Sequence, residues 1–157
     1  MRKSKPYWIV IGACATIGIH FIVNTSTAIA NDERTAVVLE STERQMILGK
    51  MRDLLQTTQM MVEALANEDV AEVTRIARST GHAATKNMDA TLKAKFPTAF
   101  KAIGSDMHDG FDHIADMAQA GKPLKAMQQQ LAATMNNCVA CHASYRLVEV
   151  NPVTNKY

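Results

Sequence analysis

Residues 33–67 contain no proline and a single glycine, Gly49. Apolar residues recur there at Leu48, Met51, Leu55, Val62 and Leu65, with Met46, Leu54 and Met61 widening the stripe. Spacings of three and four gather side chains on one side of an α-helix, whereas a half-buried strand needs alternation. A helix this long with one apolar flank has to cover that flank, most simply with other helices. The fold is therefore steered towards helix packing before any other segment is read.

The following segments repeat the theme. Asn67-Glu68-Asp69 is a polar break, and Asp69 is placed to cap a second helix over 70–88, with Val73, Ile76, Ala77, Thr80 and Ala84 on its apolar face. Gly81 either weakens that helix by about 1 kcal/mol relative to alanine or lets another group approach closely. Pro97 breaks any helix over 92–104. Ser105 is placed to cap a third helix over 105–120, presenting Met107, Phe111, Ile114 and Ala118, and Gly121 ends it. Pro123 opens a fourth helix reaching to about residue 147, which carries Leu124, Met127, Leu131, Met135, Cys138, His142 and Tyr145 at helical spacings. Residues 150–157 read as a polar tail. No stretch alternates with a strand's period, and there is no hairpin dipeptide or internal repeat. Four helices with short connections predict an all-α fold, an antiparallel four-helix bundle.

The first thirty residues follow another logic. Arg2, Lys3 and Lys5 form a positive start, residues 7–23 form an apolar run interrupted by Thr16 and His20, and 24–30 end in Ala28-Ile29-Ala30. This is the three-part pattern of a secretory signal peptide cut after Ala30. It predicts export to the periplasm and a mature domain of residues 31–157. The competing reading is an uncleaved anchor, but the apolar run only just reaches spanning length. The expectation is that no membrane anchor remains after cleavage. The formal charge of +2 becomes −1 in the mature chain, where fourteen cations face fifteen acids. That balance argues against a nucleic-acid binder, which concentrates positive charge. Cys14 leaves with the signal, so the domain keeps Cys138 and Cys141 alone.

Those two cysteines stand in Cys138-Val139-Ala140-Cys141-His142, a C-x-x-C-H sequence read as a c-type haem attachment site. Positions i and i+3 project to one side of a helix, so both thiols can form thioethers to one porphyrin. The adjacent imidazole then supplies an axial nitrogen to the iron. Other uses of the motif need partners the chain lacks. A thioredoxin-like pair belongs in a βαβ context. A structural zinc site needs four ligands, and the domain offers His82, His108, His113 and His142 beside its two cysteines. Two cysteines so close together are no disulfide scaffold. The expected cofactor is one covalently attached haem c. Ten methionines and only eight Phe, Tyr and Trp residues suit a core whose largest ring is not a side chain.

The motif lies at the carboxyl end of the last helix, and Tyr145 and Arg146 follow it. The run CVACHASYR resembles the haem site of the cytochrome c-prime family, the four-helix class II c-type cytochromes, whose relatives include the cytochrome c-556 kind. Outside residues 138–146 the resemblance is architectural. It implies thioether anchors at Cys138 and Cys141, His142 as proximal iron ligand, and Arg146 one turn on, near the haem edge. A plain helix-end cation, favoured by the macrodipole, is the other reading of Arg146. The resemblance also implies a distal residue on the first helix. If Arg44 matches the family's first-helix arginine, Leu48 falls at the distal position with Met51 below it. Counted back from Asn67-Glu68, Met51 takes that place. Leu48 would leave a five-coordinate, gas-binding iron; Met51 would give a six-coordinate iron suited to electron transfer. Met46, His82 and His108 are further candidates, although methionine in a helical stripe is usually core filler and His108 suits a partly buried, hydrogen-bonded residue.

The functional expectation is an exported monohaem electron carrier with His142 and Met51 on the iron. The alternative is a high-spin protein that binds NO or CO. No acids are paired for acid–base catalysis and no distal His–Arg pair is legible, so an enzyme is not expected. Partners would be redox proteins, and the resemblance implies a homodimer through the first two helices.

Overall fold

The computed structural model describes residues 32–150. The signal reading over 1–30 lies outside them, as do 151–157 of the tail. Helices account for about three-quarters of the described residues, so the all-α expectation holds at the level of class. In chain order the elements are strand β1 (Thr35–Leu39), α1 (Ser41–Ala66), α2 (Val70–Thr80), a 3-10 turn (His82–Thr85), α3 (Ala90–Lys95), α4 (Thr98–Gln119), α5 (Leu124–Ser144) and strand β2 (Tyr145–Glu149). Among the described residues no helix is long and apolar enough to cross a membrane.

Caps explain most boundaries. Glu43 Oε2 accepts the Glu40 N–H at 2.9 Å at the start of α1, and Lys95 Nζ on α3 reaches both oxygens of the same carboxylate at 2.7 Å. The polar break falls where expected: Asp69 Oδ1 accepts the Glu72 N–H at 2.9 Å and opens α2. Asp89 caps the short α3 through the Thr91 and Leu92 N–H groups. Gly121 ends α4 with a φ of +64°, a left-handed turn in which glycine pays no steric penalty.

Several expectations need correction. The second helix stops at Thr80, not at residue 88, because Gly81 is its C-cap. Pro97 separates α3, which ends at Lys95, from α4, as expected, and it also starts the second of these helices. Its fixed φ suits the position before the first turn, so α4 begins at Thr98 and Ser105 lies inside it. The fourth helix ends at Ser144, three residues before the expected 147. The largest departure is the pair β1–β2, which lie side by side in parallel register from Thr35↔Tyr145 to Leu39↔Glu149. Val37 and Leu39 are the buried alternate residues of β1. Val150 is no part of a loose tail, since its N–H donates to Leu39 O at 2.9 Å.

Packing produces two cores. The larger joins Met61 and Leu65 of α1, Val73 and Ile76 of α2, Phe111 and Ile114 of α4, and Met127 and Leu131 of α5. α2 packs on both α1 and α4, α4 packs on α5, and α1 meets α5 only sparsely. The smaller core gathers Val37, Leu39, Ile47, Leu92 and Phe96 beneath the strand pair. Phe96 stacks on Phe100 at 4.9 Å, and Phe100 meets the Tyr145 ring edge-on at 5.2 Å. Two glycines mark close approaches. A side chain at Gly110 would collide with Thr134 across the α4–α5 contact, and one at Gly81 would collide with the carboxylate of Asp112.

Candidate functional site

The stripe of α5 changes character along its length. Met127, Leu131 and Thr134 are buried, but Met135 one residue on is 41% exposed, and Cys138 and His142 are exposed too. Positions 127, 131, 135, 138 and 142 share one helix face by their spacing. The face that packs against α4 over the first half of α5 is therefore left uncovered over the last two turns, where the C-x-x-C-H motif sits.

Neither cysteine is in a disulfide; Cys138 is exposed and Cys141 half-buried. Partial withdrawal from water pushes both thiols above their usual range, and for Cys141 the neighbouring Cys138 adds to the shift. The sulfurs are thus held as S–H groups at neutral pH, unlike the thiolates of nucleophilic or metal-binding cysteines. Among the described residues no group of three or more His, Cys, Asp or Glu side chains gathers in the manner of a metal cage.

α1 turns out to be rotated relative to its expected face. Its buried residues are Ile47, Met61, Ala64 and Leu65, with Leu54 packed against the main core. Leu55 is 73% exposed, Val62 53% and Met51 37%, while Leu48 is half-buried. Residues 48, 51, 55 and 62 therefore form a second apolar flank beside the packed one. Met51 and Leu48, the two distal candidates, lie one turn apart on it. Met46 is exposed as well.

The two arginines bind backbone. Arg146 lies on β2 opposite Ala36, not on a further helical turn, and its Nε donates to Arg34 O at 3.3 Å. Arg44 Nε donates to Leu147 O at 3.4 Å, which ties the first turns of α1 to the strand that follows the motif. His108 is half-buried within α4, with its Nδ1 2.7 Å from Thr80 O. His82 Nε2 lies 2.7 Å from Asp109 Oδ1.

Sequence reasoning missed one contact of the site. Arg34 donates to the carbonyl oxygen of His142 at 3.2 Å. The available signal was the Thr35-Ala36-Val37-Val38-Leu39 run, three of whose five residues are β-branched. Comparison of the chain with protein-family profiles, characterised proteins and solved structures gave no match.

Proposed function

We propose that this chain is an exported c-type cytochrome of the class II kind, in which α1, α2, α4 and α5 form an antiparallel four-helix bundle around one covalent haem. The observation that carries the reading is the placement of Cys138, Cys141 and His142 on the uncovered end of the α5 core face. The exposed α1 flank of Leu48, Met51, Leu55 and Val62 supports it, as does the sparse contact between α1 and α5. A flat apolar group between those helices would remove both patches from water. A contiguous apolar flank left in water otherwise marks a binding surface.

When bound, haem supplies a one-electron iron couple whose potential follows from axial ligands and burial. The chain's residues do the rest. Cys138 and Cys141 would hold the group covalently, each S–H adding across one vinyl so that the sulfur takes one carbon and the hydrogen the other. His142 would hold the iron through its imidazole and Met51 through its thioether, with Leu48 lining the same place. Arg44 and Arg146 hold the strand pair beneath the motif. The protein then carries electrons between redox partners in the periplasm, and a homodimer is compatible with this role.

The gas-binding alternative assigns the distal place to Leu48. One experiment separates the two readings. The protein, exported in a host that attaches haem c, should keep its haem through denaturing electrophoresis and lose it in the Cys138→Ala, Cys141→Ala double variant. Its ferrous spectrum should be sharp and low-spin, and Met51→Ala should turn it high-spin with prompt CO binding. A wild-type protein already high-spin and open to CO favours the gas binder. A chain that carries no covalent haem refutes both.

A further inference from the structure

A second cluster of chemistry lies where α2 ends against α4. Gly81 lets the Asp112 carboxylate come within 2.2 Å of where a side chain would stand, so the chain leaves α2 pressed against α4. Asp112 Oδ2 then accepts the His82 N–H at 2.9 Å. His82 Nε2 contacts Asp109 Oδ1 at 2.7 Å, and His108 Nδ1 contacts Thr80 O at 2.7 Å. The two imidazoles lie with centroids 6.1 Å apart and planes tilted by 41°.

These contacts fix the tautomers. A backbone carbonyl only accepts, so His108 carries its proton on Nδ1; an ionised carboxylate only accepts, so His82 carries its proton on Nε2. In its neutral form each ring then keeps a lone pair on its other nitrogen, Nδ1 of His82 and Nε2 of His108. Neither nitrogen makes a hydrogen bond among the described residues. Metal-binding histidines are oriented in this way, one nitrogen on the ion and the other N–H on a carboxylate or backbone carbonyl. An ion held about 2.0–2.1 Å from one nitrogen of each ring sets the centroids about 5–6 Å apart, close to the observed spacing.

We propose that His82 and His108 form a binding site for a divalent late transition-metal ion of the zinc or copper(II) class, with Asp109 and the Thr80 carbonyl orienting the two rings. Paired imidazole donors suit these ions and not magnesium or calcium, which take oxygen ligands. Of the cations around the pair, Arg78 is engaged by Asp112, Asp116 and Gln119 and Lys93 donates to the Thr85 carbonyl of the same turn, while Asp109 places a negative charge beside His82. The His82 side chain is 48% exposed, which gives the ion a path from solvent. With two protein donors, water completes the coordination shell and the ion exchanges readily. The site is independent of the haem reading, because it shares no residue with the C-x-x-C-H motif.

The test titrates zinc chloride, and separately copper(II), into the purified full-length protein by calorimetry. The expected result is one equivalent whose affinity falls at least tenfold in His82→Asn and in His108→Gln but not in His113→Asn, an exposed histidine of α4. Copper(II) should show two coupled imidazole nitrogens by electron paramagnetic resonance. Far-ultraviolet circular dichroism checks that each variant keeps its helices, and the exposed His82 is the variant least able to disturb them. Unchanged stoichiometry and affinity in His82→Asn overturns the site. So does an equivalent that disappears in Cys138→Ser, Cys141→Ser and persists in His82→Asn, since it belongs to the cysteines.

Discussion

Arg34 donates a guanidinium hydrogen bond to the carbonyl oxygen of His142, 108 residues further along the chain. Arg146 returns a bond from its Nε to Arg34 O. The last turn of α5, whose carbonyls lack helical partners, is thus held by the residue that leads into β1. Arg34→Ala removes the clamp. Amide exchange over residues 141–145 should quicken about fivefold, the equivalent of about 1 kcal/mol for one hydrogen bond. Exchange in α2 should not change. In the haem-loaded protein the same variant should shift the reduction potential, because His142 is the proposed axial ligand; Arg34→Lys should restore part of the shift.

The α1 flank offers a contrast between packed and unpacked apolar residues. Met61→Ala in the main core should cost about 2–5 kcal/mol whether or not haem is attached. In the Cys138→Ala, Cys141→Ala chain, Leu55→Ala should fall within about 0.5 kcal/mol of its parent, as surface changes do. Denaturant midpoints measure both. In the loaded protein Leu55→Ala should become clearly destabilising, and equal effects in the two backgrounds would show that nothing covers this flank.

Gly110 lets α4 and α5 approach. A methyl group there would stand 2.3 Å from Thr134 Oγ1 and 2.8 Å from its Cγ2. Thr134 cannot easily turn aside, since its hydroxyl donates to Gln130 O at 2.8 Å. Gly110→Ala should therefore destabilise by about 1–3 kcal/mol from overpacking, despite the gain of about 1 kcal/mol in helix propensity. Adding Thr134→Ala should recover most of the loss, a coupling that a double-mutant cycle reads directly.

Acid should act on the join between α1 and α3. Lys95, first, and then the Glu40 N–H hold the Glu43 carboxyl below its usual 4.5. A depressed folded value means that this stabilisation is complete above 4.5 and is lost as the pH falls through the lower folded value. Melting temperatures of wild type and Glu43→Gln, followed from about pH 6 to about pH 3, should differ most at the higher pH and converge in acid. A gap that widened in acid would contradict the sign.

Much of this molecule is legible from local pattern. Met107, Phe111, Ile114 and Ala118 are buried as their spacing predicts, and Asp69 caps as its position predicts. The C-x-x-C-H motif ends its helix as read. The rotation of α1 was not legible, because Leu48, Met51 and Leu55 are as apolar as Leu54, Met61 and Leu65. Only the neighbours decide which flank is packed. The break at Pro97 was legible, but the start of α4 at Thr98 was not, because a proline that stops one helix equally well starts the next. The strand pair escaped notice for a deeper reason. Parallel strands join segments far apart in sequence, so no hairpin turn announces them, and each has only five residues with which to show a period.

That strand pair also sets an order of assembly. β1 precedes the first long helix and its partner follows the last, so the sheet closes only after every helix has been made. A chain emerging from its amino terminus presents β1 early, with nothing to pair with, while the C-x-x-C-H turn arrives among the final residues. Closing a flexible loop of more than a hundred residues costs about 4 kcal/mol in chain entropy, and the helices packed between the two strands lower that cost by taking most of the loop out of the flexible chain. The cysteines and His142 thus adjoin the strand whose pairing with β1 cannot begin until the last helix has been made.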